Sequence, residues 1–129
     1  MTMKSKYELE YTLNCSPKVL FSRLSTPEGL SEWFADDVTV EGSIFTFHWS
    51  KAESKALLAS VKENKIVRFE WIDDEADKES NYFEFKIVVH DITGDLALII
   101  TDFAEESEKD DAIDLWNSQI TTLKHCVGV

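Results

Sequence analysis

The residue types best suited to chemistry are few. Cys15 and Cys126 are the two cysteines, and His48, His90 and His125 are the three histidines. Thiolate chemistry, metal binding and nucleophilic catalysis would start from such groups. Their spacing offers none of these. The cysteines are far apart, neither sits in a Cys-x-x-Cys pair, and neither has a His at metal-ligand spacing. No His is placed by local spacing beside a Ser, Cys or Asp. The expectation is two ordinary thiols, with no metal site, no cofactor and no catalytic residue assigned.

Two acidic clusters follow. Residues 73–79 hold five Asp/Glu against Lys78, and residues 102–114 hold seven against Lys109. A calcium loop needs a central Gly and a terminal Glu at fixed offset, and neither segment has them. They read as solvated surface, or as an acidic patch that steers a basic partner.

Behind these groups stands a scaffold of alternating residues. Residues 6–13 place Tyr7, Leu9, Tyr11 and Leu13 on one face and polar groups on the other, which predicts a strand with one wet face. Ser16-Pro17 and Thr26-Pro27-Glu28 each read as an N-cap followed by a proline at the first helical position. They predict two short helices, the second carrying Leu30, Trp33 and Phe34. From 37 to 103 the period is two. Strands are expected around Val38–Val40, at Ile44–Trp49, 54–62, Ile66–Ile72, 80–90 and 96–103, with turns at Glu41-Gly42-Ser43, Glu63-Asn64-Lys65 and around Gly94. Phe83, Phe85, Ile87 and Val89 should face inward. Arg68 and Glu70 should pair across strands with Glu84 and Lys86. The run LALIITDF suggests a strand covered on both faces. A helix is expected over 107–127, capped by Ser107 and Asp110, with an apolar stripe of Ile113, Trp116, Ile120, Leu123 and Val127, and ended by Gly128.

Composition narrows the class. The chain has 129 residues, 43% of them hydrophobic, and 13 Lys+Arg against 25 Asp+Glu give a net charge of −12. One domain spanning 1–129 is expected. Such a charge repels phosphate backbones and anionic headgroups, so neither nucleic acid nor membrane insertion is an expected partner. The N-terminus MTMKSKYELE has no apolar run, and no 18 consecutive residues are apolar. A cytoplasmic location is the default.

The order of elements and the local wording resemble the START-like, or SRPBCC, superfamily. Within it the sequence is similar to homologues of the activator of the 90-kDa heat-shock protein's ATPase. The resemblance rests on Ser16-Pro17-Lys18-Val19-Leu20-Phe21, Thr26-Pro27-Glu28-Gly29-Leu30, Trp33-Phe34, Arg68-Phe69-Glu70-Trp71 and Trp116. It implies an α+β helix-grip fold: a curved antiparallel sheet of six or seven strands, two short helices after the first strand, and a long C-terminal helix across the sheet. It also implies a cavity between sheet and helix. Here the lining would be Phe45, Phe47, Trp49, Phe69, Trp71, Phe83, Phe85, Trp116 and Ile120, with Asn117 and Lys124 at the helix margin. The function this implies is non-enzymatic binding of a small hydrophobic or aromatic molecule. The alternatives are a protein-interaction module related to chaperone ATPase activators, with a chaperone as partner, and a cyclase-type enzyme. Gly42 stands almost alone where homologues carry a Gly-rich segment. The activator's separate N-terminal domain has no counterpart in these residues.

Overall fold

A computed structural model describes residues 4–72 and 82–127. Seven strands form one antiparallel sheet: β1 (Lys4–Leu13), β2 (Asp37–Glu41), β3 (Ile44–Trp49), β4 (Ala52–Lys62), β5 (Ile66–Trp71), β6 (Tyr82–Val89) and β7 (Leu96–Glu105). Their spatial order is β1-β7-β6-β5-β4-β3-β2. The chain therefore runs as a meander from β2 to β7, and β1 closes onto the last strand. Helices α1 (Pro17–Ser25) and α2 (Pro27–Leu30) follow β1, and α3 (Lys109–Cys126) follows β7.

Local chemistry accounts for the boundaries. Ser16 Oγ accepts from the Val19 N–H at 3.2 Å and opens α1. Thr26 serves two helices at once. Its hydroxyl donates to Ser22 O at 2.6 Å and accepts from the Gly29 N–H at 3.0 Å, ending α1 and opening α2. Gly42 and Asn64 take φ of 64° and 61° at the β2–β3 and β4–β5 turns, a left-handed conformation that glycine and asparagine tolerate best.

The inner face of the sheet carries an aromatic network. Phe47, Phe69, Phe83 and Phe85 are almost fully buried. Helix α3 covers this face through Trp116, Ile120 and Leu123, all buried. The other cover comes from the segment after α2, where Phe34 stacks on Phe83 at 5.3 Å and on Trp116 at 5.8 Å. Strand β7 is buried on both faces along Leu96–Leu98 and again at Ile100 and Thr101, as its run of apolar residues led one to expect. On the outer face Arg68 pairs with Glu84 at 2.9 Å and lies 4.1 Å from the centre of the Tyr82 ring.

Some expectations need correction. Helix α2 ends at Leu30, and Trp33 and Phe34 lie in the turns beyond it. The N–H groups of Trp33, Phe34 and Ala35 converge on Leu30 O, which tightens the chain out of a regular helix. Ser107 and Asp110 form no capping box. A 3₁₀ turn at Glu106–Glu108 absorbs Ser107, and α3 starts at Lys109 with no side-chain cap. Val89, expected to face inward, is 45% exposed at the last residue of β6. The acidic segment 73–79, the start of the strand expected over 80–90, and Gly128 lie outside the described residues.

Candidate functional site

An open cleft of about 790 Å³ lies where α3, the 31–36 segment and the ends of β3 and β5 meet. Five parts of the fold build its wall. The 31–36 segment contributes Trp33, Phe34 and Asp36. The last residues of β3 and β5 contribute Trp49 and Trp71. Helix α3 contributes Ala112, Leu115, Trp116, Gln119 and Thr122, and Asp102 of β7 completes the lining.

The indoles are held in place. Trp33 Nε1 donates to Arg23 O at 2.7 Å, Trp49 Nε1 to Phe34 O at 3.0 Å and Trp116 Nε1 to Asp102 Oδ2 at 3.0 Å. Gln119 Nε2 also donates to Phe34 O, at 3.0 Å, so α3 is pinned to the segment opposite it. Packing and directional bonds together fix the shape of the cleft.

Asp102 is the one ionisable group of this wall whose carboxyl is clearly shifted. Its Oδ2 also accepts from the Tyr7 hydroxyl at 3.3 Å, and its Oδ1 accepts from the Phe103 N–H at 2.8 Å. Burial raises its carboxyl above the usual range, since a charge is poorly solvated among aromatic rings. The three hydrogen bonds and the charge of Lys4 act in the opposite direction. Tyr7 is the register partner of Asp102 across β1 and β7. Its phenol is pushed well above the ordinary tyrosine value, first by burial and then by the carboxyl beside it.

The expected lining residues are distributed as follows. Trp49, Trp71 and Trp116 border the cleft. Phe45, Phe47, Phe69, Phe83, Phe85 and Ile120 lie behind it, each no more than 4% exposed. The rings among them touch one another, as in the Phe45–Phe69 contact at 5.1 Å and the Phe69–Phe83 stack at 5.2 Å. Asn117 is exposed on α3, where its Oδ1 accepts from the Tyr11 hydroxyl at 2.6 Å. Lys124 is partly buried near the end of α3, away from the cleft wall.

Sequence reasoning did not place Asp102 or the 31–36 segment in the lining; it read Trp33 and Phe34 as part of a second helix. A signal for Asp102 existed. Leu98 and Ile100 face inward, so a period of two carries Asp102 to the same face. Among the described residues no cluster of His, Cys, Asp and Glu could hold a metal ion. The Cys15 thiol is raised by burial, and Cys126 Sγ donates to Glu32 O at 3.6 Å. No described helix is long and apolar enough to cross a membrane.

Comparison with known proteins gives a consistent frame. A family model described as a START-like superfamily domain matches residues 1–129. The solution structure of BfR322 from Bacteroides fragilis is 41% identical, with a TM-score of 0.68 over 98% of this chain and 92% of that one. The solution structure of the Aha1 dimer from Colwellia psychrerythraea has a TM-score of 0.77 at 17% identity, over 95% of this chain and 96% of that one. That of ChR145 from Cytophaga hutchinsonii has a TM-score of 0.71 at 16% identity, over 96% and 94%. No curated protein matches the sequence. At such low identity the last two likenesses speak for the fold.

Proposed function

Because the chain belongs to the START-like superfamily, we propose that it acts by binding a small hydrophobic or aromatic molecule in the cleft between the sheet and α3, without chemical conversion. One observation carries this reading. The cleft of about 790 Å³ is walled by Trp33, Trp49, Trp71 and Trp116, and its size is that of a site for a drug-sized ligand. A packed layer of phenylalanines lies beneath it, so the wall is rigid. In this reading the chain works in the cytoplasm as one domain.

The test is a titration of the protein with small aromatic and aliphatic molecules, followed by calorimetry and by tryptophan fluorescence. Trp71→Ala should weaken any molecule that binds by about tenfold or more, the loss expected when a large buried ring contact is removed. Unchanged affinity in a folded Trp71→Ala protein would sink the assignment.

A second reading, a protein-interaction module related to chaperone ATPase activators, draws on a different face. Ile44 and Leu57 are register partners on the outer side of the sheet, and they and Ile72 are each more than a third exposed. Exposed apolar side chains in one place suit a protein partner. If this reading holds, Ile44→Ser with Leu57→Ser should abolish an effect on a purified 90-kDa chaperone's ATPase rate. No effect by the unaltered protein at high concentration would remove it.

A further inference from the structure

The cleft is rich in acceptors and has almost no free donors. The indole N–H groups of Trp33, Trp49 and Trp116 are committed to Arg23 O, Phe34 O and Asp102 Oδ2. Gln119 donates to Phe34 O. The hydroxyls of Ser31 and Thr122 donate backward along their own chain, to Glu28 O at 2.8 Å and Ser118 O at 3.4 Å. The backbone N–H groups of the 31–36 segment are engaged too. Those of Ser31 and Glu32 reach Pro27 O and Gly29 O, the next three reach Leu30 O, and that of Asp36 reaches His48 O.

The charges are equally one-sided. Glu32, Asp36 and Asp102 are on the wall, and no Lys, Arg or His is among its described residues. Glu32 is already paired with Arg23 at 2.6 Å. Asp36 and Asp102 have no opposite charge within the described lining.

We infer that the polar end of the ligand is a cation, a protonated amine carried on an apolar or aromatic body, with Asp102 as its carboxylate partner and the indoles around it. This rests on the cleft being the binding site. An anion or a carbonyl-rich molecule would find few donors and would meet two carboxylates. A pure hydrocarbon would cover the Asp36 and Asp102 carboxylates without bringing them a donor or an opposite charge, which is costly. An ammonium group resolves both problems, since it brings donors and charge. Aromatic rings attract a cation through their negative faces. The net charge of −12 raises the local concentration of cations. Amine binding is also linked to the proton on Asp102. Burial favours the neutral carboxyl, and an ammonium beside it favours the carboxylate. Tyr7 and Lys4 on β1 are the other titratable groups that act on this carboxyl.

The test compares three molecules built on one phenyl ring with a short chain: 2-phenylethylamine, a cation at pH 7, its neutral isostere propylbenzene, and 3-phenylpropanoate, an anion. Binding is read from the indole N–H signals of the tryptophans in nitrogen-labelled protein. The amine should bind at least about tenfold more tightly than propylbenzene, the effect of one charge-assisted hydrogen bond, and the anion should bind weakest. Asp102→Asn, which keeps an acceptor for Trp116, should erase the advantage of the amine over propylbenzene. If propylbenzene equals the amine in the unaltered protein, the cation assignment fails while the cleft stands as an apolar site. If none of the three shifts the indole signals, the binding-site reading fails and takes this inference with it. The comparison on unaltered protein decides the matter even if Asp102→Asn does not fold.

Discussion

The indole N–H of Trp116 donates to Asp102 Oδ2 at 3.0 Å, and this one bond ties α3 to β7 at the wall of the cleft. Trp116 is buried, and Asp102 is itself raised by burial. Trp116→Phe keeps most of the ring and removes the donor. It should cost about 1–3 kcal/mol, the range for leaving a buried acceptor short of a partner. The Asp102 carboxyl should titrate at higher pH than before. Urea unfolding and a carbon-detected NMR titration of the carboxyl would check both, and no change in either would refute the prediction.

A raised carboxyl pKa also makes stability depend on pH. The unfolded Asp value is about 3.9, and the folded value of Asp102 lies above it. The native state then binds this proton more tightly than the unfolded state. Its contribution is complete below the unfolded value and is lost as pH rises through the folded one. Asp102→Asn mimics the protonated form. It should therefore be more stable than the parent at pH 7, and the gap should close as the pH falls below about 4. Paired melting curves at both ends would show it, and an equal gap at both would contradict it.

Phe83 is the hub of the aromatic network. Its ring meets those of Phe34, Phe69 and Phe85 at 5.2–5.5 Å, and that of Trp71 at 5.0 Å. Phe83→Ala should cost about 3–5 kcal/mol through the cavity it leaves. That is a large share of the roughly 5–15 kcal/mol that holds an ordinary domain together. Denaturant unfolding is the measurement, and a loss under about 1 kcal/mol would show that the rings can close the gap.

Gly29 makes a close approach rather than a turn. A Cβ there would run into Ser22 O, stand 2.6 Å from Arg23 Cα and 2.8 Å from Thr26 Oγ1. Two of these are backbone atoms of α1, which cannot swing away. Gly29→Ala should destabilise the protein by about 1–3 kcal/mol as an overpacked contact. It should also shift the indole N–H signal of Trp33, whose acceptor is Arg23 O. Wild-type stability with an unmoved signal would count against this reading of α1–α2 packing.

Much of the scaffold is legible in the sequence because its strands alternate cleanly. Ile44–Trp49 and the Gly42 turn can be placed from the pattern alone, since each inward aromatic is followed by an outward residue. The stripe of α3 is equally plain. The site is harder for a physical reason. Phe47 and Trp49 share a face and a parity, yet Phe47 is buried at 0% exposure while Trp49 reaches the cleft. Distance along the strand from the helical cover decides which ring fills and which borders. That distance belongs to the packed molecule and not to a one-dimensional pattern. Asp102 is hidden differently. A single carboxylate at the end of LALIITDF is easily taken for the start of the acidic run that follows, although parity places it inside.

The pairing of β1 with β7 has a kinetic consequence. Tyr7 and Asp102 are separated by 95 positions in the chain, whereas β2 to β6 each pair with the next strand in sequence. Short loops close before long ones because the entropy to be lost is smaller. The meander can therefore assemble while β1 is still free, and the hydroxyl of Tyr7 reaches its carboxylate only in the closing step. Amide protons of β1 should gain protection last in a pulsed hydrogen-exchange refolding experiment. Until then the Asp102 carboxyl lacks its Tyr7 partner, so this wall of the cleft is complete only once β1 has docked on β7.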